Sequence, residues 1–177
     1  MYMRTLFFGL LVLGLSVSCG YRLSGLPRPG EAPKTIAVST FENSSFEPGI
    51  ELMLGSAVRR QFSRPGVVEE VNQSVSPEYL LSGRVLGVRT ASRTLTQKIQ
   101  AIEFTVTVTI VPVLTRDSDG KTFKFDRLAR SASEVYLASF DLEVSRKNRE
   151  EALRQITAVL ASRIYDEVVF LTAEAES

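Results

Sequence analysis

The chain has 177 residues, of which 44% are hydrophobic, and its formal net charge is +1. This length and composition suit one compact domain with its own core, and the near-neutral charge does not indicate binding to a bulk polyanion. A single cysteine excludes an internal disulfide, and the absence of histidine removes the commonest general base and metal ligand, so the composition weighs against an enzyme.

Residues 1–18 have the pattern of a signal peptide, with Arg4 before an apolar run from Leu6 to Leu15. The run is too short to cross about 30 Å of hydrocarbon as a helix. Cys19 follows, and the segment resembles the lipobox of bacterial lipoproteins, which implies that the thiol is acylated and the chain is cut before it. We therefore predict a lipid anchor at Cys19. The resemblance also implies the periplasmic side of the outer membrane, because Gly20 replaces the aspartate that prevents export there. The alternative is a soluble secreted protein with a chance cysteine.

The tether and the start of the fold come next. Glycine and proline dominate residues 19–33, which predicts a lipidated tether, and we expect a single α+β domain over residues 34–173 with a C-terminal tail at 174–177. The segment TIAVSTF, residues 35–41, predicts a buried strand because it is β-branched and bounded by turn formers. Pro48 and apolar residues at helical spacing predict a first helix that continues to Phe62.

Two further strands are predicted from short β-rich segments. Residues 67–71 form a short candidate, and residues 79–90, YLLSGRVLGVRT, form a longer one. Gly83 and Gly87 interrupt the longer strand, where we expect a bulge or a close backbone approach.

Residues 102–114 alternate cleanly between apolar and threonine-rich positions. The apolar positions are Phe104, Val106, Val108 and Ile110. One face of this strand therefore belongs to a core, and the threonine face is either wet or docked. Pro112 places its end of the strand at an edge, and residues 117–121 predict a hairpin with Gly120 at positive φ, returning into TFKFDRLA.

The C-terminal part combines an unassigned segment with a clear helix. Residues 130–145 have no decisive pattern. After them, an apolar stripe from Ala152 to Val168 predicts an amphipathic helix of about six turns capped by Asn148. The predicted fold is an α+β class with a mainly antiparallel or mixed sheet of about four strands and two helices packed on one face.

Several segments of the sequence, taken together, resemble a known family. The segments CGYRLSG, IAVSTFENSSFEPGIE and YLLSGRVLGV, the long Thr/Val strand with its hairpin, and NREEALRQITAVLASRI resemble, in this order, the lipopolysaccharide-assembly lipoprotein family, LptE. The resemblance implies a small lipoprotein that sits inside the outer-membrane β-barrel LptD, plugs it, assists its assembly and helps deliver lipopolysaccharide to the outer leaflet. A threonine-rich strand face suits a polar barrel lumen.

A local cationic stripe is the candidate for lipopolysaccharide contact. Between Arg84 and Lys98 the chain has four cations and no acidic residue. Guanidinium and ammonium groups bind phosphates and sugar carboxylates through charge-assisted hydrogen bonds. The first candidates are Arg89, Arg93 and Lys98, followed by Lys121 and Lys124 at the next hairpin. The alternative is a solvated strand end and loop.

Other functions remain as alternatives. The chain has no catalytic motif, no cofactor motif and no complete metal-binding motif, and Asp117 and Asp119 before Gly120 fit a plain turn better than a calcium loop. A second hypothesis is a lipid-anchored periplasmic adaptor of another outer-membrane secretion or envelope complex. A third is an independent lipid carrier, which requires an apolar cavity.

Overall fold

The structure, a computed structural model, describes residues 32–71, 76–93, 101–126 and 130–175, and for residues 101 and 102 only the main chain. Cys19, the predicted signal peptide, nearly all of the tether and Lys98 lie outside these ranges. The lipid anchor and the domain boundaries therefore stay predictions.

Within these ranges the chain forms seven strands and two helices. In chain order they are β1 (Lys34–Val38), β2 (Glu42–Asn43), α1 (Ile50–Phe62), β3 (Val68–Glu70), β4 (Tyr79–Ser92), β5 (Ala101–Arg116), β6 (Thr122–Phe123), β7 (Ser131–Ser139) and α2 (Leu142–Glu174). The predicted α+β class is confirmed.

The strands form one mixed sheet in the order β3-β1-β4-β5-β6. β1 pairs in parallel with β3 and β4, and β2 continues the line of β1 along β4. β5 pairs antiparallel with β4 on one side, and with β7 and then β6 on the other. The sheet has seven strands rather than about four, because β2 and β6 have only two residues each and β7 lies in the segment that had no decisive pattern.

The core lies between the two helices and one face of the sheet. The apolar positions of β5 are closed to solvent, with Val106, Val108 and Ile110 at 0% exposure. From the helices, Leu54 and Leu160 enter the same cluster. This arrangement confirms the predicted alternation of β5 and the packing of both helices on one face.

α1 forms as its spacing predicts. Its buried residues include Ile50, Leu54, Val58 and Phe62, each four positions apart and therefore on one side of the helix. Gly49 precedes the helix at φ 81°, a left-handed conformation in which a side chain is strained.

α2 begins earlier than its apolar stripe predicts. The cap is Asp141, whose Oδ1 accepts hydrogen bonds from the amides of Glu143 (2.9 Å) and Val144 (3.3 Å). The prediction of Asn148 as the cap was wrong: its Nδ2 donates to the carbonyl of Leu137 (2.8 Å) in β7. The helix has 33 residues, about nine turns, because its first turns run past the core and are exposed.

Both glycines of β4 behave as predicted, in different ways. A Cβ on Gly83 would stand 2.8 Å from the Phe41 ring and 2.8 Å from the Val111 carbonyl oxygen, so the backbone approach is close. The ladder with β5 shifts register between Val85 and Gly87, which makes Leu86 the extra residue of a β-bulge.

The predicted hairpin is confirmed, with Gly120 at φ 68°, but its returning strand β6 has only two residues. Pro112 pairs with Gly83 in β4, and on its other side β5 has no strand partner between the ends of β7 and β6 among the described residues. The missing N–H of the proline is therefore tolerated, as the sequence predicts.

Candidate binding surface on the open face of the sheet

The face of the sheet opposite the helices, which we call the open face, is polar at its centre. Thr105, Thr107 and Thr109 of β5 project from it and are half-buried. The Thr107 hydroxyl lies 2.7 Å from the hydroxyl of Ser133 in β7. Because side chains alternate along a strand, the same pattern that buries the valines of β5 presents its threonines here.

The open face is not uniformly polar, because its margins carry exposed aliphatic side chains. These are Leu80, Leu86, Val111, Val135 and Leu137. Exposed aliphatic side chains that lie beside hydroxyl groups are common in protein-binding surfaces. The composition therefore favours docking over simple hydration.

Two adjoining troughs shape the open face around the bulge at Leu86. One has a volume of about 540 Å³ and is lined by Arg89, Ala91 and the three threonines of β5, together with Leu86 and Gly87. The other, of about 320 Å³, is lined on the β1 side of the bulge by residues that include Glu42, Arg84 and Leu86. A bulge increases local strand twist, which explains why the face is concave here.

The cations of the troughs have different partners. Arg84 Nε donates to Glu42 Oε2 (2.7 Å), and the pair is largely exposed. Arg89 is exposed and makes no hydrogen bond or ion pair with its side chain among the described residues. Its charge is therefore available to an anionic partner, whereas that of Arg84 is already balanced.

Arg89 and Arg93 lie together at one end of the sheet. The ladder places Arg89 opposite Thr107, and the amide of Arg93 donates to the carbonyl of Glu103 (2.9 Å). Arg89 and Arg93 are four residues apart, so strand alternation puts both of them on the open face. Lys98, the third predicted cation of this group, lies outside the described residues.

Lys121 and Lys124 lie at the opposite end. Lys121 follows the hairpin, with its ammonium 5.2 Å from the centre of the Phe123 ring, and Lys124 is exposed. Nine residues of β5, or about 30 Å, separate Thr107, the partner of Arg89, from the hairpin. The structure therefore does not bring the two predicted groups of cations together.

Three exposed apolar side chains were missed in the sequence. Phe46 precedes α1, and Phe140 and Leu142 lie at the junction of β7 and α2, with exposures of 107%, 87% and 82%. The only signal for the latter two was an apolar residue on each side of Asp141, in a segment without a clear period. The open-face residues of β7 were missed for the same reason.

Two ion pairs involve partly buried groups. Arg149 of α2 binds Glu47 through two hydrogen bonds of 2.8 and 2.5 Å, which raise the pKa of Arg149 above its ordinary value. Burial raises the pKa of Glu70, and the positive charge of Arg59, 3.5 Å away, lowers it by less. Both pairs lie away from the centre of the open face and join elements of the fold.

The described ranges offer neither a cluster of metal ligands nor a membrane-spanning helix. They contain no group of three or more acidic or cysteine side chains that could hold a metal ion. No helix within the described ranges is both long and apolar enough to cross a membrane.

The comparison with protein families identifies a match for most of the chain. The sequence model of the lipopolysaccharide-assembly family LptE matches residues 33–168. The match includes both helices up to Val168 and every strand of the sheet. The comparison with curated proteins gave no match.

Several solved structures are similar in shape. Lipoprotein B from Nitrosomonas europaea is 16% identical, with a TM-score of 0.48, over 88% of this chain and 94% of its own. The rare lipoprotein B from Shewanella oneidensis is 14% identical, with a TM-score of 0.46, over 81% and 100%. PelC from Paraburkholderia phytofirmans is 21% identical, with a TM-score of 0.43, over 78% and 95%. At these scores the likenesses carry no argument about function.

Proposed function

The chain belongs to the LptE family of lipopolysaccharide-assembly lipoproteins, and we propose that it is the outer-membrane partner of the β-barrel LptD. In this role it plugs the barrel, assists its assembly and helps to insert lipopolysaccharide into the outer leaflet. The observation that carries the proposal is the family match over residues 33–168.

The open face supports docking inside a barrel. The lumen of a large outer-membrane barrel is polar, and a plug needs a surface that exchanges hydrogen bonds with it. The hydroxyl groups of Thr105, Thr107 and Thr109 supply such a surface, and neither α1 nor α2 covers them. The exposed Leu86 and Val111 at its margin add apolar contact area.

The lipid anchor completes this role. Acylation of Cys19 would hold the domain at the periplasmic surface of the outer membrane, through a tether that ends at β1. An anchor of this kind raises the effective concentration of the domain toward a barrel in the same membrane. Two or three acyl chains make such anchoring practically permanent.

Lipopolysaccharide contact is assigned to the cations of the open face. Arg89 and Arg93 are exposed at one end of β4, and Lys98 follows them in the sequence. The guanidinium groups of the two arginines and the ammonium group of Lys98 suit the phosphates of the lipid. Lys121 and Lys124 form a second candidate group at the other end of the sheet.

Co-purification tests the proposal. The full-length lipoprotein is extracted from its own cells in mild detergent and captured by a C-terminal tag. We expect one large barrel protein in a stoichiometric complex. A Thr107→Trp variant, which fills the centre of the open face, should recover less barrel than an Ala158→Trp variant on the exposed side of α2.

The result also separates the alternatives. Recovery of the lipoprotein alone contradicts the proposal, and recovery with a different envelope complex supports the adaptor hypothesis. The lipid carrier would need an apolar cavity between the helices and the sheet. The two troughs instead lie on the open face, outside the core.

A further inference from the structure

The distal half of β4, from Leu86 to Ser92, has one edge that no strand of the described chain covers. β2 pairs with β4 only as far as Val85, whose carbonyl accepts the amide of Ser44 (2.9 Å). There Asn43 Oδ1 accepts a hydrogen bond from the amide of Ser45 (2.8 Å). This bond forms a turn that leads the chain away from the sheet. Beyond this point, β4 has a strand partner only on the β5 side among the described residues.

The register identifies the backbone groups at this edge. The amide of Arg93 donates to Glu103 of β5, so the odd-numbered residues of distal β4 point their N–H and C=O groups toward β5. Val88, Thr90 and Ser92 therefore point theirs away from it. Thr90 and Ser92 are exposed and Val88 is half-buried. We call this row of groups the β4 slot.

The other long edge of the sheet is protected, which makes the slot unusual. In β7, the outward carbonyl of Ser131 accepts a bond from Arg163 (3.0 Å), and that of Leu137 accepts one from Asn148 (2.8 Å). At its end, Ser139 exchanges hydrogen bonds with the hydroxyl of Ser145. Proteins cover or cap long exposed edges because these edges pair with other chains. Side chains of α2 do this at both ends of β7, and no described residue does it for the slot.

The charge beside the slot selects its partner. Arg89 and Arg93 flank it on the open face, and neither side chain forms an ion pair within the described ranges. A second copy of this edge would place arginines against arginines, which is unfavourable. An extended strand with an aspartate or glutamate on the open face would instead gain both backbone bonds and a charge pair.

We propose that the β4 slot binds an extended polypeptide segment with an acidic side chain, by addition of a strand in line with β2. The segment forms backbone hydrogen bonds with Val88, Thr90 and Ser92, and its carboxylate lies next to Arg89. About seven residues of β4 are available, a length of about 23 Å. The assignment of this segment to a barrel protein rests on the proposed function. The proposal that the slot binds an acidic strand rests on the geometry of β4 alone.

A proline in the slot tests the backbone contact. Thr90→Pro removes an N–H that points outward, so the ladder to β5 keeps its bonds, as for prolines on natural edge strands. Thr90→Ala removes the same side chain and keeps the N–H, and it is the matched control. We expect Thr90→Pro to lower recovery of the co-purified partner by about tenfold and Thr90→Ala to leave it unchanged. Thermal unfolding of both purified variants shows whether they fold.

Hydrogen exchange of the wild-type protein gives an independent readout. Exchange is measured at single amides, in the purified full-length lipoprotein and in isolated cell envelopes. We expect the amides of Val88, Thr90 and Ser92 to exchange quickly in the purified protein and about a hundredfold more slowly in envelopes. Fast exchange in both samples overturns the proposal, and so does slow exchange in the purified protein, because a segment of the same chain then covers the slot.

The two readouts distinguish failure of the slot from failure of the proposed function. If the barrel is recovered equally with Thr90→Pro and the slot amides stay fast in envelopes, the barrel partner stands and the slot proposal is wrong. If no barrel is recovered but the amides are slow in envelopes, the slot proposal stands and the barrel assignment is wrong.

A cross-link identifies the acidic side chain. In an Arg89→Lys variant, a carbodiimide joins the new amine to a nearby carboxylate as an amide, and the water lost converts the carbodiimide to a urea. Peptide mapping should find an aspartate or glutamate of an extended partner segment attached at position 89. Attachment of lipopolysaccharide alone, or no attachment, contradicts an acidic strand in the slot. Lys124, at the far end of the sheet, is the internal control.

Discussion

The side-chain nitrogen of Lys34, the first residue of β1, lies 2.9 Å from the carbonyl oxygen of Thr172 near the end of α2. The last four carbonyls of a helix have no partner inside the helix, and this end carries partial negative charge. α2 has no basic residue in its own last turn. A lysine 138 positions earlier in the chain supplies the cation instead. The contact ties the first strand to the last helix.

Replacing this lysine should destabilise the fold. Lys34 is only 8% exposed, so Lys34→Met removes a charged donor and leaves a carbonyl of the helix end without it. We expect the free energy of unfolding to fall by about 2 kcal/mol, as for buried hydrogen bonds to charged groups. Urea unfolding measures the change. Lys124→Met, at an exposed position, is the control and should change stability little; equal losses would contradict the assigned role.

The two glycines of β4 should respond differently to alanine. Gly83→Ala places a methyl group 2.8 Å from the Phe41 ring and from the Val111 carbonyl oxygen, and we expect a loss of about 1–3 kcal/mol from overpacking. A Cβ on Gly87 meets nothing within 4 Å. Gly87→Ala should therefore stay within about 0.5 kcal/mol of wild type. Chemical denaturation of the pair provides the comparison, and a tolerant Gly83 would show that β4 and β5 are less closely packed there.

Removing the cap of α2 should fray its first turn. Asp141→Ala deletes the acceptor for the amides of Glu143 and Val144, at an expected cost of about 1 kcal/mol. Those two amides should exchange faster with solvent, which hydrogen exchange detects. Asp166→Ala, in an exposed position within the same helix, should leave them unchanged. If Asp141→Ala also leaves them unchanged, the helix begins elsewhere.

The sequence predicted those elements whose apolar period matches their burial. α1 buries residues at every fourth position, and β5 alternates because both helices of the described chain pack on the same side of it. The start of α2 was missed because Leu142 and Val144 are exposed, so the apolar stripe begins at Ala152, about three turns after the cap. The side chain of Asp141 sets the start of α2 there, and the spacing of apolar residues gives no sign of it.

β7 was not predicted because both of its faces carry mixed residues. Its core-facing positions include Glu134 and Tyr136, while Val135 and Leu137 project from the open face. An alternation rule has no clear side to choose in such a strand. For the candidate site, the sequence indicated the threonine face and the arginines of β4. Their location about 30 Å from Lys121 depends on long-range pairing, which a local pattern does not contain.

The partly buried carboxyl of Glu70 predicts a pH dependence of stability. Burial raises its pKa above the ordinary value of 4.5, more than Arg59 lowers it. The folded state then binds the proton more tightly than the unfolded state, so this group favours folding at low pH. Its contribution is lost as the pH rises from 4.5 through the raised pKa. Urea unfolding of wild type and Glu70→Gln across this range should show the variant gaining stability relative to wild type as pH rises. Parallel curves would contradict it.

Lipopolysaccharide binding should depend on the end of the sheet that carries Arg89 and Arg93. Substituting both arginines and Lys98 with glutamine removes three cations from one region, and we expect the affinity of the purified full-length lipoprotein for lipopolysaccharide to fall by about tenfold or more. The two arginines are exposed and Lys98 follows the described end of β4, so thermal stability should not change.

The hairpin lysines supply the comparison for this experiment. Lys121→Gln with Lys124→Gln also removes positive charge, but about 30 Å away along β5. A loss of affinity from the arginine group alone locates the lipid headgroup at the distal end of β4. Salt screens exposed charges beyond about 8–10 Å, so a single bound headgroup should sense only the group of cations beside it. A similar loss from both groups would therefore mean that binding follows total charge and has no single site. A loss from the lysines alone would move the lipid site to the hairpin and leave the arginines to the protein partner.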